Sequence, residues 1–343
     1  MIKNLWFKFL EKSLRSSTIQ SWIIDYFPDT SASRNVTNYS NPYITKKPLI
    51  QNTSKRPIFI TGRFRSGSTL LWNIFRKING YTAYYEPFNE RRWFDSAYRG
   101  DFTDNSHRGV DDYWREYEGL DYLGSHYKEN WIRHRLFMAE NDFDINMYNF
   151  IKKLVDDAEG TPVLQFNRVD FRLGWLRNAF PDSSIIHIYR NPRDQWCSSL
   201  WGDQNYTKYS KGDQGFNDRF YLNTWVMDLT KQFPFLSEYE DKHRYYHFYM
   251  LWKLSYCYGQ KYSNSSVSLE DLSNNPSPEI DRILSDINIK PCFHKLDLSF
   301  IEPPRSTWRD YADENWFQKI EQDCEEVLDQ FLSPATTDVE MKQ

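Results

Sequence analysis

The sequence lacks the patterns of metal-binding, disulfide-bonded and membrane-spanning proteins. Its 343 residues include four cysteines and seven histidines, and no C-x-x-C or H-E-x-x-H spacing occurs among them. Neither a zinc site nor a disulfide framework is therefore indicated, and a reducing, cytoplasmic location fits. The sequence contains no run of about 18 apolar residues, so no membrane span is predicted. Charged residues interrupt the apolar residues near the N-terminus, so no secretory signal is predicted there. The net charge of −4 argues against a chain that coats nucleic acid.

One stretch, residues 56–75, has the pattern of an anion-binding site. The apolar residues Pro57–Ile60 predict a buried strand, and the apolar periodicity that begins at Leu70 predicts a helix. A loop of small residues joins the two. The first amides of a helix have no acceptor within it, and its dipole favours an anion at this end. The stretch therefore predicts a phosphate-binding loop. The alternative is a tight turn that only packs a strand on a helix.

The loop departs from the ATP-binding pattern G-x-x-x-x-G-K-[ST] at one position. Gly62, Gly67 and Thr69 are in register, but Ser68 occupies the place of the lysine. That lysine reaches the terminal phosphates of ATP, so its absence disfavours ATP hydrolysis and kinase chemistry. Arginines that precede the second glycine supply positive charge from another side.

A second candidate anion site follows the apolar strand predicted at residues 184–189. Arg190 lies at the carboxyl end of this strand, and Pro192 begins the next helix. Ser198 comes eight residues after Arg190, on that helix. A cation at a strand end and a hydroxyl on the following helix can hold a phosphate. The alternative is an ordinary helix start with charged residues on the surface.

In this order the two stretches resemble the nucleotide signatures of sulfotransferases that use 3′-phosphoadenosine 5′-phosphosulfate (PAPS). Residues 65–69 resemble the 5′-phosphosulfate loop, and Arg190 with Ser198 resembles the 3′-phosphate motif. Residues 269–276 are similar to a later Glu-Asp-Leu…Asn-Pro segment. Residues 305–309 only faintly echo the C-terminal nucleotide segment of the cytosolic enzymes, because its glycines are missing.

The resemblance implies an α/β fold: three α/β/α layers around a central, mainly parallel sheet, like that of P-loop NTPases. It also implies transfer of a sulfuryl group from PAPS to a hydroxyl or amine, with no metal required. Two alternatives remain, a P-loop-type kinase that uses ATP and an inactive module that binds PAPS. The residues implied to bind PAPS are Arg63, Phe64, Arg65, Ser66, Gly67, Ser68, Thr69, Arg190 and Ser198.

Two residues are implied to be catalytic. Arg65 would stabilise charge on the leaving 5′-phosphate, since arginine stays protonated and presents several donors. Glu86 follows the strand predicted at residues 81–85 and lies on the rim where open parallel sheets bind ligands, so it is the leading general base. The alternative is a structural carboxylate that pairs with Arg63 or Arg91. Other candidate bases are His107, His126 and His134.

The sequence predicts one sulfotransferase domain over residues 56–331. Before it, residues 1–55 form an amphipathic helix and a linker, and residues 332–343 form a tail. The helix, residues 1–27, either docks on the domain or makes weak contact with a membrane surface.

Two segments are candidates for acceptor binding. Residues 91–142 are an insertion dense in aromatic residues, and residues 202–218 are a polar loop. The aromatic content favours a saccharide or glycoconjugate acceptor. A lipid-linked sugar and a small alcohol are alternatives. Between the segments, Asp170 is expected to cap a helix that begins at Phe171.

Overall fold

A computed structural model describes residues 53, 55–200, 216–237, 242–290 and 297–332. The predictions for residues 1–27, for the tail and for most of residues 29–55 and 202–218 lie outside these residues.

The core is a five-stranded parallel sheet with the strand order β2-β3-β1-β4-β5. Because β1 lies between β3 and β4, the loops that leave the carboxyl ends of these strands meet at one edge of the sheet. This architecture confirms the predicted fold class. The strands are β1 (Ile58–Thr61), β2 (Tyr81–Tyr85), β3 (Thr161–Phe166), β4 (Ser184–Tyr189) and β5 (Ser265–Ser268).

The helices that bear on the site pack directly on the strands. Helix α1 packs on β1, β2 and β3, and α6 packs on β4. The helices are α1 (Ser68–Arg76), α2 (Ile145–Asp157), α3 (Leu173–Ala179), α4 (Pro192–Ser199), α5 (Leu222–Leu229), α6 (Arg244–Tyr262), α7 (Leu269–Asn274), α8 (Pro276–Asp286), α9 (Trp308–Tyr311) and α10 (Glu314–Leu332).

Aromatic side chains form much of the interior. They occupy two clusters, one around the sheet and one between α4, α5, α6 and α10. The insertion at residues 91–142 contains three short 3₁₀ turns and joins the first cluster through buried aromatic residues. It is thereby held against the edge of the sheet that carries the two predicted phosphate sites. The largest buried side chains include Trp72, Trp175, Trp196 and Trp225.

The prediction that Asp170 caps a helix is wrong. Helix α3 begins at Leu173 and has no side-chain cap, and Asp170 instead opens a 3₁₀ turn before it. The Asp170 carboxylate is 2% exposed and accepts a hydrogen bond from Ser255 at 2.9 Å. It also lies 3.7 Å from the guanidinium of Arg63. Asp170 therefore pairs with the buried Arg63 and does not cap a helix. The tertiary fold brings Arg63 near, so the local sequence could not predict this pairing.

Candidate active site

An open cavity of about 1000 Å³ lies at the carboxyl edge of the sheet. Both predicted phosphate sites and the candidate base Glu86 face into it, so the fold brings together residues more than 100 positions apart. Two of the predicted binding residues, Arg63 and Ser66, do not line it. The predicted binding and catalytic residues that line it are Phe64, Arg65, Gly67, Ser68, Thr69, Glu86, Arg190 and Ser198.

The backbone of the phosphate loop is shaped by residues with positive φ. Arg65 has a φ of 66° and Gly67 a φ of 93°, a region that side chains disfavour. A β-carbon on Gly67 would lie 2.5 Å from Cδ1 of Leu269, so the loop passes close to the start of α7. Helix α1 begins directly after Gly67 and has no side-chain cap. Its first amides are thus not used by a capping side chain, which fits an anion at this helix end.

Arg65 bridges the two predicted phosphate sites. Its Nε donates to Oγ of Ser198 at 3.0 Å, and its Nη1 lies 3.7 Å from the carboxylate of Asp104. Burial lowers the pKa of the Arg65 guanidinium, and Asp104 opposes this effect. Arg65 therefore presents a partly desolvated positive charge at the point where the two sites meet.

Arg190 directly follows β4, and hydrogen bonds of its side chain and backbone fix its position over the phosphate loop. Its Nη1 donates to the backbone oxygen of Arg65 at 3.5 Å, and its own backbone oxygen accepts from Nε1 of Trp252 at 3.0 Å. Its side chain is 8% exposed, and its buried Nε has no hydrogen-bond partner among the described residues. A buried guanidinium with an unused donor beside a polar cavity is suited to binding an anion.

The other arginine of the loop, Arg63, turns into the protein. It is 6% exposed, pairs with Asp170 and packs on the ring of Trp225 at 5.0 Å. Burial lowers the pKa of the Arg63 guanidinium and raises that of the Asp170 carboxyl, while each charge partly offsets the effect on the other. Ser66 is 1% exposed. Their roles in binding stay predictions.

Glu86 is the centre of a buried hydrogen-bond network. Nη1 of Arg168 donates to its Oε2 at 2.9 Å, and the side-chain amides of Asn89 and Asn167 also donate to its carboxylate. The predicted pairing with Arg63 or Arg91 is wrong, since Arg168 is the partner. Glu86 also has a φ of 39°, a strained conformation of the kind found at functional sites. Its role as a base stays a prediction.

His107 lies in the same cavity, on the insertion. Its Nδ1 shares a hydrogen bond with the hydroxyl of Tyr113. Burial lowers the pKa of His107 to about 4, an effect that Arg65 reinforces and Asp104 opposes, so the ring is neutral at pH 7. His126 and His134 do not line the cavity.

Several cavity residues have no motif that reveals them. Asp104 lies in an irregular part of the insertion, and Arg168 is the second residue after a strand that carries no signature. Tyr85 ends β2, and only its place before Glu86 marks it. Arg305 lines the cavity although the segment around it departs from the nucleotide pattern. A rule that inspects the first two residues after every parallel strand would have found Arg168.

Among the described residues, no group of three or more His, Cys, Asp or Glu side chains could hold a metal ion. No helix within the same residues is both long and apolar enough to cross a membrane.

Solved structures similar to this chain include a sulfotransferase from Alicyclobacillus acidocaldarius, at 14% identity and a TM-score of 0.39, covering 81% of this chain and 96% of that one. Another is sulfotransferase STF9 from Mycobacterium avium, at 12% identity and a TM-score of 0.40, covering 90% and 80%. A third is retinol dehydratase in complex with androsterone and inactive cofactor PAP, at 13% identity and a TM-score of 0.31, covering 86% and 85%.

A search of curated proteins found no match. A family model described as "Sulfotransferase family" matches residues 57–290 of this chain. This match begins just before β1 and ends after α8, so it includes all five strands and both predicted phosphate sites. Because it spans more than half of the sequence, the chain belongs to the sulfotransferase family.

Proposed function

We propose that this protein transfers the sulfuryl group of PAPS to a hydroxyl of a saccharide or glycoconjugate. The observation that carries the proposal is that the two predicted anion sites meet in one cavity, where Arg65 bonds to Ser198 and Arg190 bonds to the loop that contains Arg65. Such a pair suits a nucleotide with phosphate groups at two positions. PAPS supplies the sulfuryl group.

The residues of the cavity fit this donor. The amides at the start of α1, with the hydroxyls of Ser68 and Thr69, would hold the 5′-phosphosulfate. Arg190 and Ser198 would hold the 3′-phosphate, which distinguishes PAPS from ATP. Arg65 would stabilise the negative charge that develops on the 5′-phosphate oxygen, without giving up its proton. Positioning and electrostatics account for most of such a transfer.

The charge of the cavity favours an uncharged acceptor. Seven arginines and four carboxylates line it. A phosphate monoester carries a charge of about −2, so the 3′-phosphate and the phosphosulfate would together neutralise the excess. Little positive charge then remains to attract an anionic acceptor. Phe102, 45% exposed on the cavity rim under the guanidinium of Arg91, offers a flat apolar face of the kind that stacks on a sugar ring.

Two side chains compete for the role of general base. Glu86 has the position that the sequence predicts, but three donors already occupy its carboxylate. His107 is neutral and lies near Arg65, although its low pKa makes it a weak base. Loss of a general base slows a reaction by about 10²–10⁴-fold. We therefore expect a decrease of this size in the turnover rate of either Glu86→Gln or His107→Gln. The variant that keeps its turnover rate identifies the residue that is not the base.

Mutation of the two arginines tests the function itself. Because Arg190 contacts the predicted 3′-phosphate site, Arg190→Ala should weaken binding of 3′-phosphoadenosine 5′-phosphate (PAP) by about 10–100-fold, the effect of losing a hydrogen bond to a charged group. Arg65→Ala should lower the turnover of PAPS by about 10²–10³-fold. Calorimetry with PAP and detection of PAP released from PAPS measure the two effects.

Arg309→Ala, which alters an exposed arginine outside the cavity, is the matched control. Near wild-type values for both cavity variants would contradict the assignment. Tight binding of ATP with magnesium, in preference to PAP, would favour the kinase alternative. PAP binding without transfer to any member of a saccharide panel would favour an inactive module.

A further inference from the structure

Tyr85 is a cavity residue whose hydroxyl faces the phosphate loop. It is the last residue of β2, its side chain is 5% exposed, and its ring reaches the first turn of α1. Its hydroxyl lies 3.3 Å from Oγ1 of Thr69. Hydrogen bonds between two hydroxyls are most often about 2.7–2.8 Å long. The contact with Thr69 is thus a loose one, and the carboxylate of Glu86 is the other hydrogen-bond partner of the phenol. The single phenol proton can turn from either partner to an acceptor placed between the loop and the strand.

The ring of Tyr85 is held in place by its aromatic neighbours. It stacks on Tyr113 with 4.3 Å between ring centroids and an angle of 17°. Trp72 lies 4.9 Å away on α1, and Trp93 lies 6.0 Å away on the insertion. The hydroxyl therefore has a fixed position before any ligand binds. A fixed donor is what stabilises charge in a transition state efficiently, because no reorganisation is needed.

The phenol remains protonated under all ordinary conditions. Burial raises the pKa of Tyr85 well above its usual value, and the charge of the nearby Glu86 carboxylate and a hydrogen bond to it add to this effect. Tyr85 is also close enough to Arg65 to influence the charge on that guanidinium. A permanent hydrogen-bond donor thus lies next to the proposed catalytic cation and next to Thr69.

We infer that Tyr85 is a catalytic residue that donates a hydrogen bond to an oxygen of the sulfuryl group during transfer. This inference rests on the proposed function. In the transfer, the bond from sulfur to the 5′-phosphate oxygen breaks and a bond from sulfur to the acceptor oxygen forms. The acceptor's proton goes to the general base, and PAP leaves with the bonding electron pair. Tyr85 keeps its own proton throughout.

A purely structural role would be different in kind. Tyr85 would then only fasten Thr69, so its loss would weaken the binding of PAP and PAPS alike. A donor to the sulfuryl group acts on PAPS alone, since PAP has no such group. Comparing the two nucleotides therefore separates the two roles.

The test is Tyr85→Phe, which removes one oxygen atom and keeps the stacked ring. Its matched control is Tyr117→Phe. Tyr117 is 1% exposed and donates to the backbone oxygen of Tyr85 at 3.0 Å, but it does not line the cavity. Binding of PAP and of PAPS is measured by calorimetry in the cold. The rate is measured as single-turnover hydrolysis of PAPS to PAP and sulfate, with water as the acceptor.

For Tyr85→Phe we expect a rate about 10²-fold lower, the effect of losing one transition-state donor. PAP affinity should stay within about threefold of wild type, and the preference for PAPS over PAP should fall. Tyr117→Phe should change neither quantity. An unchanged rate in Tyr85→Phe, or equal weakening of PAP and PAPS binding, would overturn the inference alone. Absence of PAP binding to the wild-type protein would overturn the proposed function and this inference together.

Discussion

Replacing Arg168 with methionine tests how firmly Glu86 is built into the structure. Arg168 is 4% exposed and bonds to Glu86 at 2.9 Å and to Glu90 at 2.6 Å. Burial opposes the charge on Arg168, but the carboxylates of Glu90 and Glu86 overcome this effect and raise its pKa. Methionine fills a similar volume and cannot pair with either carboxylate. It would leave Glu86 buried without its cation.

The size of the effect follows from the burial of the two partners. Removing one member of a buried ion pair costs about 3–5 kcal/mol, because the other charge is left uncompensated. The contact with Glu90 adds little, since that side chain is 41% exposed and water can replace the arginine. For a chain of this size we expect the melting temperature of Arg168→Met to fall by roughly 4–9 °C.

A second variant shows whether the uncompensated charge is the cause. The double variant Arg168→Met, Glu86→Gln lacks that charge, so it should be more stable than Arg168→Met alone by about 1–3 kcal/mol. Urea unfolding followed by tryptophan fluorescence measures all three proteins and the Glu86→Gln single variant. Arg168→Met within 1 kcal/mol of wild type, or a double variant as unstable as the sum of the single variants, would refute the reasoning.

Two further changes probe the loop and the sheet. Gly67→Ala should destabilise the fold by about 2–5 kcal/mol, from its φ of 93° and from the contact with Leu269. Gly80 has a similar φ of 87°, but a β-carbon there meets open space, so Gly80→Ala should show the φ cost alone. Equal melting temperatures of the two variants would contradict this. Burial lowers the pKa of His187 to about 4, below its unfolded value near 6.5, so its contribution to stability is complete above pH 6.5 and is lost as the pH falls to about 4. The contribution of His187 to the free energy of unfolding is on the order of 3 kcal/mol. His187→Phe should remove this part of the pH dependence of that free energy. The same pH dependence in the wild-type protein and the variant would disprove this.

The parts of the site that the sequence reveals are those fixed by neighbours along the chain. The strand, glycines and helix start of the phosphate loop lie within one stretch, so small residues and apolar periodicity are enough to identify them. The same holds for the turn after β4, where Asn191 caps α4 and Pro192 begins it. In both places the backbone satisfies its hydrogen bonds locally, and the sequence pattern reflects that.

The hydrogen-bond network around Glu86 could not be predicted from local sequence patterns. Arg168 is 82 positions from Glu86, and its pairing depends on β2 and β3 being adjacent in the sheet. Asp104 meets Arg65 only because the insertion folds back over the cavity. Side-chain pairing of this kind follows from strand order and from the packing of aromatic residues, and neither leaves a periodic signal.

The two arginines of the phosphate loop show why position in a motif says more than residue type. Arg63 and Arg65 are two positions apart, yet one is buried against Asp170 and the other faces the cavity. Arg65 can do so because its φ of 66° turns the chain between them. If Arg63 also faced the cavity, its charge would repel Arg65 and Asp170 would be buried alone, at a cost of several kcal/mol. The buried pair therefore fixes the base of the loop, and it leaves Arg65 as the loop cation that faces the cavity, where we propose that it meets the leaving phosphate.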